Sequence, residues 1–158
     1  MVSPLLDRAR AAVAEVVDPE IPVLTIGDLG ILRDVTQAAD GTIEVTITPT
    51  YSGCPAMDVI AADIQTALRD AGLPSSRIRT VLSPAWTTDW MSEAGRRKLQ
   101  EYGIAPPPCA AEAATHRPAC PLCGAGETEL LAEFASTSCK SLWRCLACRE
   151  PFDLFKCH

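Results

Sequence analysis

The chain has 158 residues, 47% hydrophobic and 22% charged, a composition typical of a globular protein and not of a disordered one. Its formal net charge of −6 argues against a broad electrostatic surface for nucleic acid or anionic lipid. The first residues lack the basic and apolar regions of a signal peptide, and no apolar run approaches the ~20 residues of a membrane span. We therefore expect a cytoplasmic protein with no nucleic-acid partner and no membrane partner.

The first predicted element is a helix that begins at Ser3-Pro4, where a capping residue precedes proline at the first helical position. Apolar residues recur at helical spacing as far as Val17, and Asp18-Pro19 is expected to end the helix. Asp18 and Glu20 then lie close together in a loop. They form either a solvated turn or a polar rim beside a cysteine later in the chain, Cys54.

Strand and helix patterns alternate after this loop. A turn at Asp28-Leu29-Gly30 precedes the first strand, and Asp40-Gly41 indicates a hairpin between the first two strands. Strand, helix, strand in this order implies a crossover connection, right-handed if the strands are parallel. The predicted elements are a strand over residues 31–35, an alternating strand over 43–48, a helix from Pro55 to about Ala71 and a strand over 78–82.

A single cysteine, Cys54, lies between the second strand and the following helix, in the stretch Thr-Pro-Thr-Tyr-Ser-Gly-Cys-Pro of residues 48–55. Pro55 is favoured at the first position of a helix, so we expect Cys54 at the helix N-terminus. Unpaired backbone N–H groups and the positive end of the helix dipole favour a thiolate there, the form that attacks electrophiles and binds metals. The alternative is a small buried hydrophobic residue.

The residues after the third strand include two tryptophans, Trp86 and Trp90, which form either a lid over the core or the wall of a binding site. Ser92 is expected to cap a helix over residues 93–102 that ends at Gly103. Its Arg96-Arg97-Lys98 run is predicted to be a solvated face, with docking of a partner as the alternative.

The domain division follows from these patterns. Residues 1–104 predict an α/β (α+β) two-layer domain of three or four strands with about three helices. Residues 105–118 are rich in proline and alanine and lack periodicity, so they are interpreted as a linker. Residues 119–158 form a small separate module.

Two C-x-x-C pairs in this module predict a metal site that consists of Cys120, Cys123, Cys145 and Cys148. The 21 residues between the pairs suffice for one hairpin, and strand-like segments lie at residues 129–134, 141–144 and 151–155. This is the pattern of a zinc ribbon, in which a structural zinc ion supplies folding energy that so small a core lacks. Four cysteines also suit an iron–sulfur cluster, which is the alternative occupant.

Five further potential metal ligands lie outside this set: Cys109, His116, Cys139, Cys157 and His158. We interpret Cys139 as a buried thiol, Cys109 as a linker residue and the last two residues as an exposed tail. The alternative is a second, transient metal site that uses Cys139 or Cys157 with His158.

The motifs together resemble two known families. Asp18-Pro19-Glu20-Ile21-Pro22, residues 28–31, residues 48–55 and Ser83-Pro84-Ala85-Trp86-Thr87 resemble the SufT-like iron–sulfur assembly domain. Cys120-Pro121-Leu122-Cys123-Gly124, residues 136–140, Arg144-Cys145 and residues 150–153 resemble the zinc-ribbon tail of the PaaD (or PaaJ) family, a subunit of bacterial 1,2-phenylacetyl-CoA epoxidase. The resemblance covers nearly the whole chain.

The resemblance implies an accessory subunit of a ring-epoxidising monooxygenase in aerobic phenylacetate degradation, without catalysis of its own. Its expected role is maturation: Cys54 holds iron or an iron–sulfur centre transiently and delivers it to the oxygenase or its reductase. Asp18, Glu20 and Trp86 match the residues that line this cysteine, and the four ribbon cysteines match zinc ligands. The implied partners are the other subunits of the oxygenase complex.

Two other functions remain open. Cys54 could be the nucleophile of a thiol-dependent enzyme, although a cysteine nucleophile normally needs a nearby base and the chain has only His116 and His158. The chain could instead be a structural subunit that docks on the oxygenase through its ribbon. A homodimer would bring two Cys54 thiols together and is compatible with the maturation role.

Overall fold

The computed structural model describes residues 3–51, 53–73, 75–108 and 110–157. The chain separates into two compact units, Met1–Trp86 and Thr87–His158. Several predictions fall outside the described residues: those on the leader at Met1 and Val2, on Ser52 in the cysteine loop, on the turn residue Pro74, and on the ligand candidates Cys109 and His158.

A three-stranded sheet forms one layer of the N-terminal unit. Its strands are β1 (Leu32–Gln37), β2 (Ile43–Ile47) and β3 (Ser76–Thr80), in the order β1-β2-β3. β1 and β2 form the predicted antiparallel hairpin, whose turn contains Gly41 at φ 87. β3 is parallel to β2, which confirms the crossover through the intervening helix. Ile43, Val45 and Ile47 are buried and alternate with half-buried residues.

In the part of this unit that the structure describes, three α-helices accompany the sheet: α1 (Pro4–Ala14), α2 (Ile26–Leu29) and α3 (Ala56–Asp70). α1 contacts both α3 and β1, and each long helix buries one stripe, including Val13 on α1 and Ile60 and Ile64 on α3. The predicted α+β two-layer architecture is therefore confirmed. No helix in the described part of the chain has the length and apolar character that crossing a membrane requires.

Some element bounds differ from the predictions because tertiary hydrogen bonds override local patterns. α1 ends at Ala14 and not near Val17, since Val17 forms an antiparallel bridge with Thr25 and is 44% exposed. The predicted turn at Asp28 is the short helix α2. A reciprocal capping box between Thr25 and Asp28 starts this helix, and Gly30 ends it at φ 76.

The described residues of the C-terminal unit form one α-helix, α4 (Glu93–Glu101), two short 3-10 helices (Thr88–Trp90 and Ala110–Glu112) and a four-stranded sheet. The strands are β4 (Ile104–Ala105), β5 (Thr128–Ala132), β6 (Lys140–Cys145) and β7 (Pro151–Phe155), in the order β4-β7-β6-β5. β5, β6 and β7 form an antiparallel meander, and β4 joins β7 in parallel. A small core of Ala105, Cys120, Cys145, Phe152 and Leu154 lies in this unit, as a zinc ribbon requires.

The compact units divide the chain earlier than the predicted linker. The boundary falls after Trp86, and α4 lies in the same unit as the ribbon. The physical reason is β4, because Ile104 and Ala105 pair with Asp153 and Leu154 at the start of the segment interpreted as a linker. A two-residue strand shows no periodicity, so sequence patterns do not reveal it.

Arg96 does not belong to a solvated face, which corrects one prediction. Its guanidinium donates to the carbonyl oxygens of Pro107 at 2.6 Å and Thr88 at 2.9 Å. Ser92 caps the same helix by accepting a hydrogen bond from the Gly95 N–H, as predicted. Arg97 is exposed.

Arg96→Ala is expected to lower the free energy of unfolding by about 1.5–3 kcal/mol, because two carbonyls lose a charged hydrogen-bond donor. The neighbouring Arg97→Ala, on the same helix and exposed, is the matched control and should change it by less than about 0.5 kcal/mol. Urea unfolding followed by tryptophan fluorescence measures both. Equal midpoints for the two variants would contradict the structural role of Arg96.

Candidate functional site

The four ribbon cysteines form a compact cluster of sulfur atoms. The Sγ atoms of Cys120, Cys123, Cys145 and Cys148 all lie within 4.8 Å of one another. The Sγ atoms of Cys123 and Cys145 are 3.5 Å apart, and those of Cys120 and Cys148 are 3.8 Å apart. Cys120 and Cys145 are buried, whereas Cys123 and Cys148 are exposed.

Each C-x-x-C pair forms a tight turn in which a backbone N–H donates to the sulfur of the first cysteine. The Leu122 N–H donates to the Cys120 sulfur and the Cys148 N–H to the Cys145 sulfur, both at 3.4 Å. Each turn ends on a left-handed residue, Gly124 at φ 81 and Arg149 at φ 69. A short loop of this kind points backbone N–H groups at the sulfur atoms and so stabilises thiolates.

The pKa values of two of these thiols are shifted in opposite directions. The hydrogen bond from the Cys148 backbone lowers the pKa of the Cys145 thiol to about 7. The backbone of Glu150 acts to lower the pKa of Cys148, but desolvation and the neighbouring thiols outweigh it and raise that pKa to about 12. Four thiols so close together cannot all ionise unless a cation balances their charge.

The cluster fits a tetrahedral metal ion. Ligands on a zinc ion with metal–sulfur bonds of about 2.3 Å would be ~3.8 Å apart, close to the two short sulfur separations of 3.5 and 3.8 Å. The donor set is four soft thiolates and leaves no position for a substrate, so it is a closed, structural type of site. The four cysteines predicted from spacing are therefore brought together as a metal-binding cluster.

Among the described residues, Cys54, Cys139, Cys157 and His116 do not extend this cluster. Within the described ranges, the four ribbon cysteines are the one close group of three or more metal-ligand side chains. Cys139 is buried, with its sulfur 3.0 Å from the Thr137 hydroxyl, and the half-buried Cys157 accepts a hydrogen bond from the Thr88 hydroxyl at 3.4 Å. A second metal site that involves His158 stays a prediction.

Cys54 lies on a turn directly before α3. Its N–H donates to the Tyr51 carbonyl at 3.3 Å, and its own carbonyl accepts from the Met57 N–H at 3.2 Å. Pro55 is the N-cap and not the first helical residue, so Cys54 lies one residue further from the helix than predicted. Gly53, at φ 79, provides a turn conformation that other residues rarely adopt. The Cys54 side chain is half-buried.

Asp18 organises its own loop. It is 7% exposed, and its Oδ1 atom accepts hydrogen bonds of 2.8 Å from the N–H groups of Glu20 and Ile21. This turn explains why a carboxylate is buried here, because buried charges need such partners. Glu20 is half-buried. The role of both carboxylates as lining of a site at Cys54 stays a prediction.

Trp86 lines a small cavity in the N-terminal unit. Its indole N–H donates to the Leu29 carbonyl at 2.8 Å, and the side chain is 5% exposed. The cavity has a volume of about 150 Å³ and is bounded by residues 48–51 together with Leu82, Ala85 and Trp86. Cys54, Asp18 and Glu20 are not among these lining residues.

Thr48 is the lining residue that sequence patterns missed. It is 1% exposed, and its hydroxyl has no hydrogen-bond partner among the described residues. The sequence shows only a threonine at the end of an alternating strand. Leu82, Ala85 and Trp86, which follow β3, line the same cavity as Thr48.

Asp18→Ala is expected to destabilise the protein by about 1.5–3 kcal/mol, because one buried and one part-buried N–H group lose their charged acceptor. The exposed Asp63→Ala, on α3, is the control and should stay within about 0.5 kcal/mol of the wild type. Thermal unfolding measures the difference. A wild-type midpoint for Asp18→Ala would show that the loop does not depend on this carboxylate.

Each half of the chain matches a known protein-family model. Residues 6–82 match the family model "Iron-sulfur cluster assembly protein", and residues 105–156 match "PaaD zinc beta ribbon domain". A solved structure of a domain of unknown function, DUF59, from Bacillus anthracis is similar with a TM-score of 0.55 and 27% identity. The match covers 60% of this chain and 91% of that one.

Two curated relatives show how far the similarity extends. The Bacillus subtilis Fe-S protein maturation auxiliary factor YitW is 36% identical over 100 residues, which cover 63% of this chain and 97% of that protein. An Escherichia coli K12 protein, named as a subunit of a "Putative 1,2-phenylacetyl-CoA epoxidase", is 46% identical over 157 residues. That alignment covers 98% of this chain and 94% of the relative.

The two-domain order of an assembly domain followed by a four-cysteine ribbon therefore matches this relative along almost its full length. The chain belongs to the PaaD family of phenylacetyl-CoA epoxidase subunits.

Proposed function

We propose that this chain is an accessory subunit of a phenylacetyl-CoA epoxidase system and matures a partner subunit by passing it iron or an iron–sulfur centre. Two relatives support the two parts of the proposal, the epoxidase system and the maturation role. One is named as a subunit of that epoxidase, and another is named as an iron–sulfur maturation factor. The clients in this proposal are the oxygenase or its reductase, and the compartment is the cytoplasm.

The observation that carries the proposal is the placement of Cys54. It is half-buried on a glycine-containing turn directly before α3, and it lies outside the four-cysteine cluster. A single thiolate is a poor permanent metal site but a suitable transfer site, because few ligand bonds must break to release the cargo. Two copies of the chain would offer two such thiolates, so the proposal includes a homodimer as the loaded form.

The ribbon has a separate role in this proposal. Cys120, Cys123, Cys145 and Cys148 would hold one structural zinc ion, which contributes folding energy to a unit with a five-residue core cluster. The folded ribbon would then dock on the oxygenase. Docking without metal transfer is the competing function, and it predicts that loss of Cys54 has no effect on the partner.

A thiol-dependent enzyme is the other competitor. It needs a base near Cys54, and one oxygen of Asp18 already accepts two backbone N–H groups. Steady thioester turnover by the isolated protein, lost in Cys54→Ala and retained in Cys157→Ala, would replace the maturation proposal with this one.

Cys54→Ala is expected to abolish the iron that the protein takes up during anaerobic reconstitution with iron and sulfide, because the transfer ligand is gone. Cys157→Ala is the matched control, since Cys157 is also half-buried and outside the cluster. Absorbance and metal analysis measure iron and zinc separately. Both variants should still contain one zinc ion per chain.

The same pair of variants tests delivery in cells. Co-expression of the epoxidase subunits with Cys54→Ala should give a partner with less metal than co-expression with the wild type or with Cys157→Ala. Normal metal loading of every partner subunit in the presence of Cys54→Ala would refute the maturation role and leave docking.

Zinc binding is expected to weaken as the pH falls, because protons compete with the metal for the thiolates. The metal-free Cys148 thiol has a pKa of about 12 and is protonated at neutral pH, whereas its zinc-bound form is not. Stabilisation by zinc should therefore be present near pH 8 and be lost toward about pH 5. Calorimetry in buffers of different ionisation enthalpy should detect proton release, and its absence would contradict thiolate ligation.

A further inference from the structure

An open groove, which we call the α1–α3 groove, lies between the end of α1 and the second half of α3. Its volume is about 330 Å³. The lining residues are Ala12 and residues 15–17 on the α1 side, and Asp63, Thr66, Ala67 and Asp70 on α3. The groove is therefore a feature of the N-terminal unit and involves neither Cys54 nor the ribbon cysteines.

Part of this groove is apolar and open to solvent. Val17 is a large aliphatic residue that is 44% exposed, and Ala12 and Ala67 beside it are half-buried. The backbone bridge between Val17 and Thr25 fixes the position of Val17 after the helix has ended. The groove thus presents a fixed apolar strip on which a side chain of another molecule can pack.

Three carboxylates accompany the apolar strip: Glu15, Asp63 and Asp70, all exposed. None of them forms an ion pair with a described residue, and the lining contains no lysine or arginine. Arg8, which reaches from α1 to the end of α3, donates to the Ala71 carbonyl and does not line the groove. The charge of the lining is therefore uniformly negative.

Two of these carboxylates lie where a helix disfavours them. Glu15 is the C-cap residue of α1, and Asp70 is the last residue of α3. The C-terminal end of a helix carries the negative end of its dipole, so a carboxylate there is unfavourable and a cation is favourable. The negative ends of two helices and three carboxylates thus meet at one apolar strip, and a cationic partner would offset all of these charges.

The spacing of the carboxylates argues for several separate cations and against a single metal ion. Asp63 and Asp70 are seven residues apart on α3, which corresponds to roughly 10 Å along the helix. In the described part of the chain, the carboxylates of this groove do not form a close group of metal ligands. One ion cannot contact both aspartates, whereas two cationic side chains on one segment can.

We propose that the α1–α3 groove docks a helical segment of a partner protein that carries two lysine or arginine residues seven positions apart, with an apolar residue between them on the same face. The two cations would pair with Asp63 and Asp70, and the apolar side chain would pack on Val17. An amphipathic helix in an apolar groove is a recurring mode of peptide recognition. A second copy of this chain is disfavoured as the occupant, because its net charge is −6.

This docking goes beyond the maturation role and does not depend on it. Cys54 is not a lining residue of the groove, and metal need not be bound for a basic helix to dock. Loss of docking would therefore leave metal uptake at Cys54 unchanged, and loss of metal uptake would leave docking unchanged.

The test is a fluorescence-anisotropy titration of a labelled peptide with the full-length, zinc-loaded protein. The peptide is an acetylated, amidated 15-residue alanine-based helix with two lysines seven residues apart and a leucine three residues after the first lysine. A counterpart peptide has glutamate in place of both lysines. Asp63→Asn and Asp70→Asn each remove one charge. Gln65→Lys is the matched control, since Gln65 is exposed on α3, lies outside the groove and changes the net charge by the same amount.

The wild type and Gln65→Lys are expected to bind the lysine peptide saturably and with equal affinity, and the glutamate peptide should not bind. Each asparagine variant should weaken binding of the lysine peptide by roughly two- to fivefold, the effect of one exposed ion pair. Higher salt should weaken binding further, because it screens exposed charges.

Absence of saturable binding of the lysine peptide to the wild type would overturn the proposal. Equal affinities for the wild type and both asparagine variants would do the same, as would an equal loss in Gln65→Lys, which would point to the overall charge of the protein. Sedimentation of the free proteins tests the other occupant. A wild-type dimer that Asp63→Asn and Asp70→Asn dissociate would assign the groove to a second copy and reject a basic partner.

Discussion

The pairing of β2 on both edges is the constraint on which the N-terminal unit depends. β2 (Ile43–Ile47) is antiparallel to β1 on one side and parallel to β3 on the other. A parallel neighbour requires a crossover, and α3 supplies it. The chain must therefore leave the end of β2 through a short loop, and this loop contains both Thr48 and Cys54. Cys54 and part of the cavity lining thus lie on the same loop because of one topological requirement.

The C-terminal unit depends on a different constraint, the convergence of four sulfur atoms. The described core cluster of this unit has five buried residues, and two of them, Cys120 and Cys145, also belong to the sulfur cluster. The two C-x-x-C turns are therefore part of the packed core as well as of the sulfur cluster. The two kinds of cysteine in this chain differ physically: the ribbon thiols form a closed set of four, whereas Cys54 is a single thiol on a turn.

The sequence was sufficient to predict features that depend on residues close together in the chain. The C-x-x-C spacing identified the four ribbon cysteines because both members of each pair lie in one tight turn. The alternation in β2 and the Asp40-Gly41 hairpin were equally local, since strand pleat and positive φ depend on adjacent residues. The motifs that resemble the PaaD family were also short continuous stretches, and the family is confirmed over nearly the whole chain.

The tertiary structure alone decided features that depend on residues far apart in the chain. α1 stops at Ala14 because Val17 pairs with Thr25, and Arg96 is held by carbonyls outside its own helix. The small cavity is formed by residues 48–51 together with Leu82, Ala85 and Trp86, which lie more than 30 residues later in the chain. Hydrophobic periodicity carries no information about which distant polar groups meet. The sequence by itself therefore determined the four-cysteine cluster and the fold class, because their patterns are local, and three-dimensional contact determined the cavity.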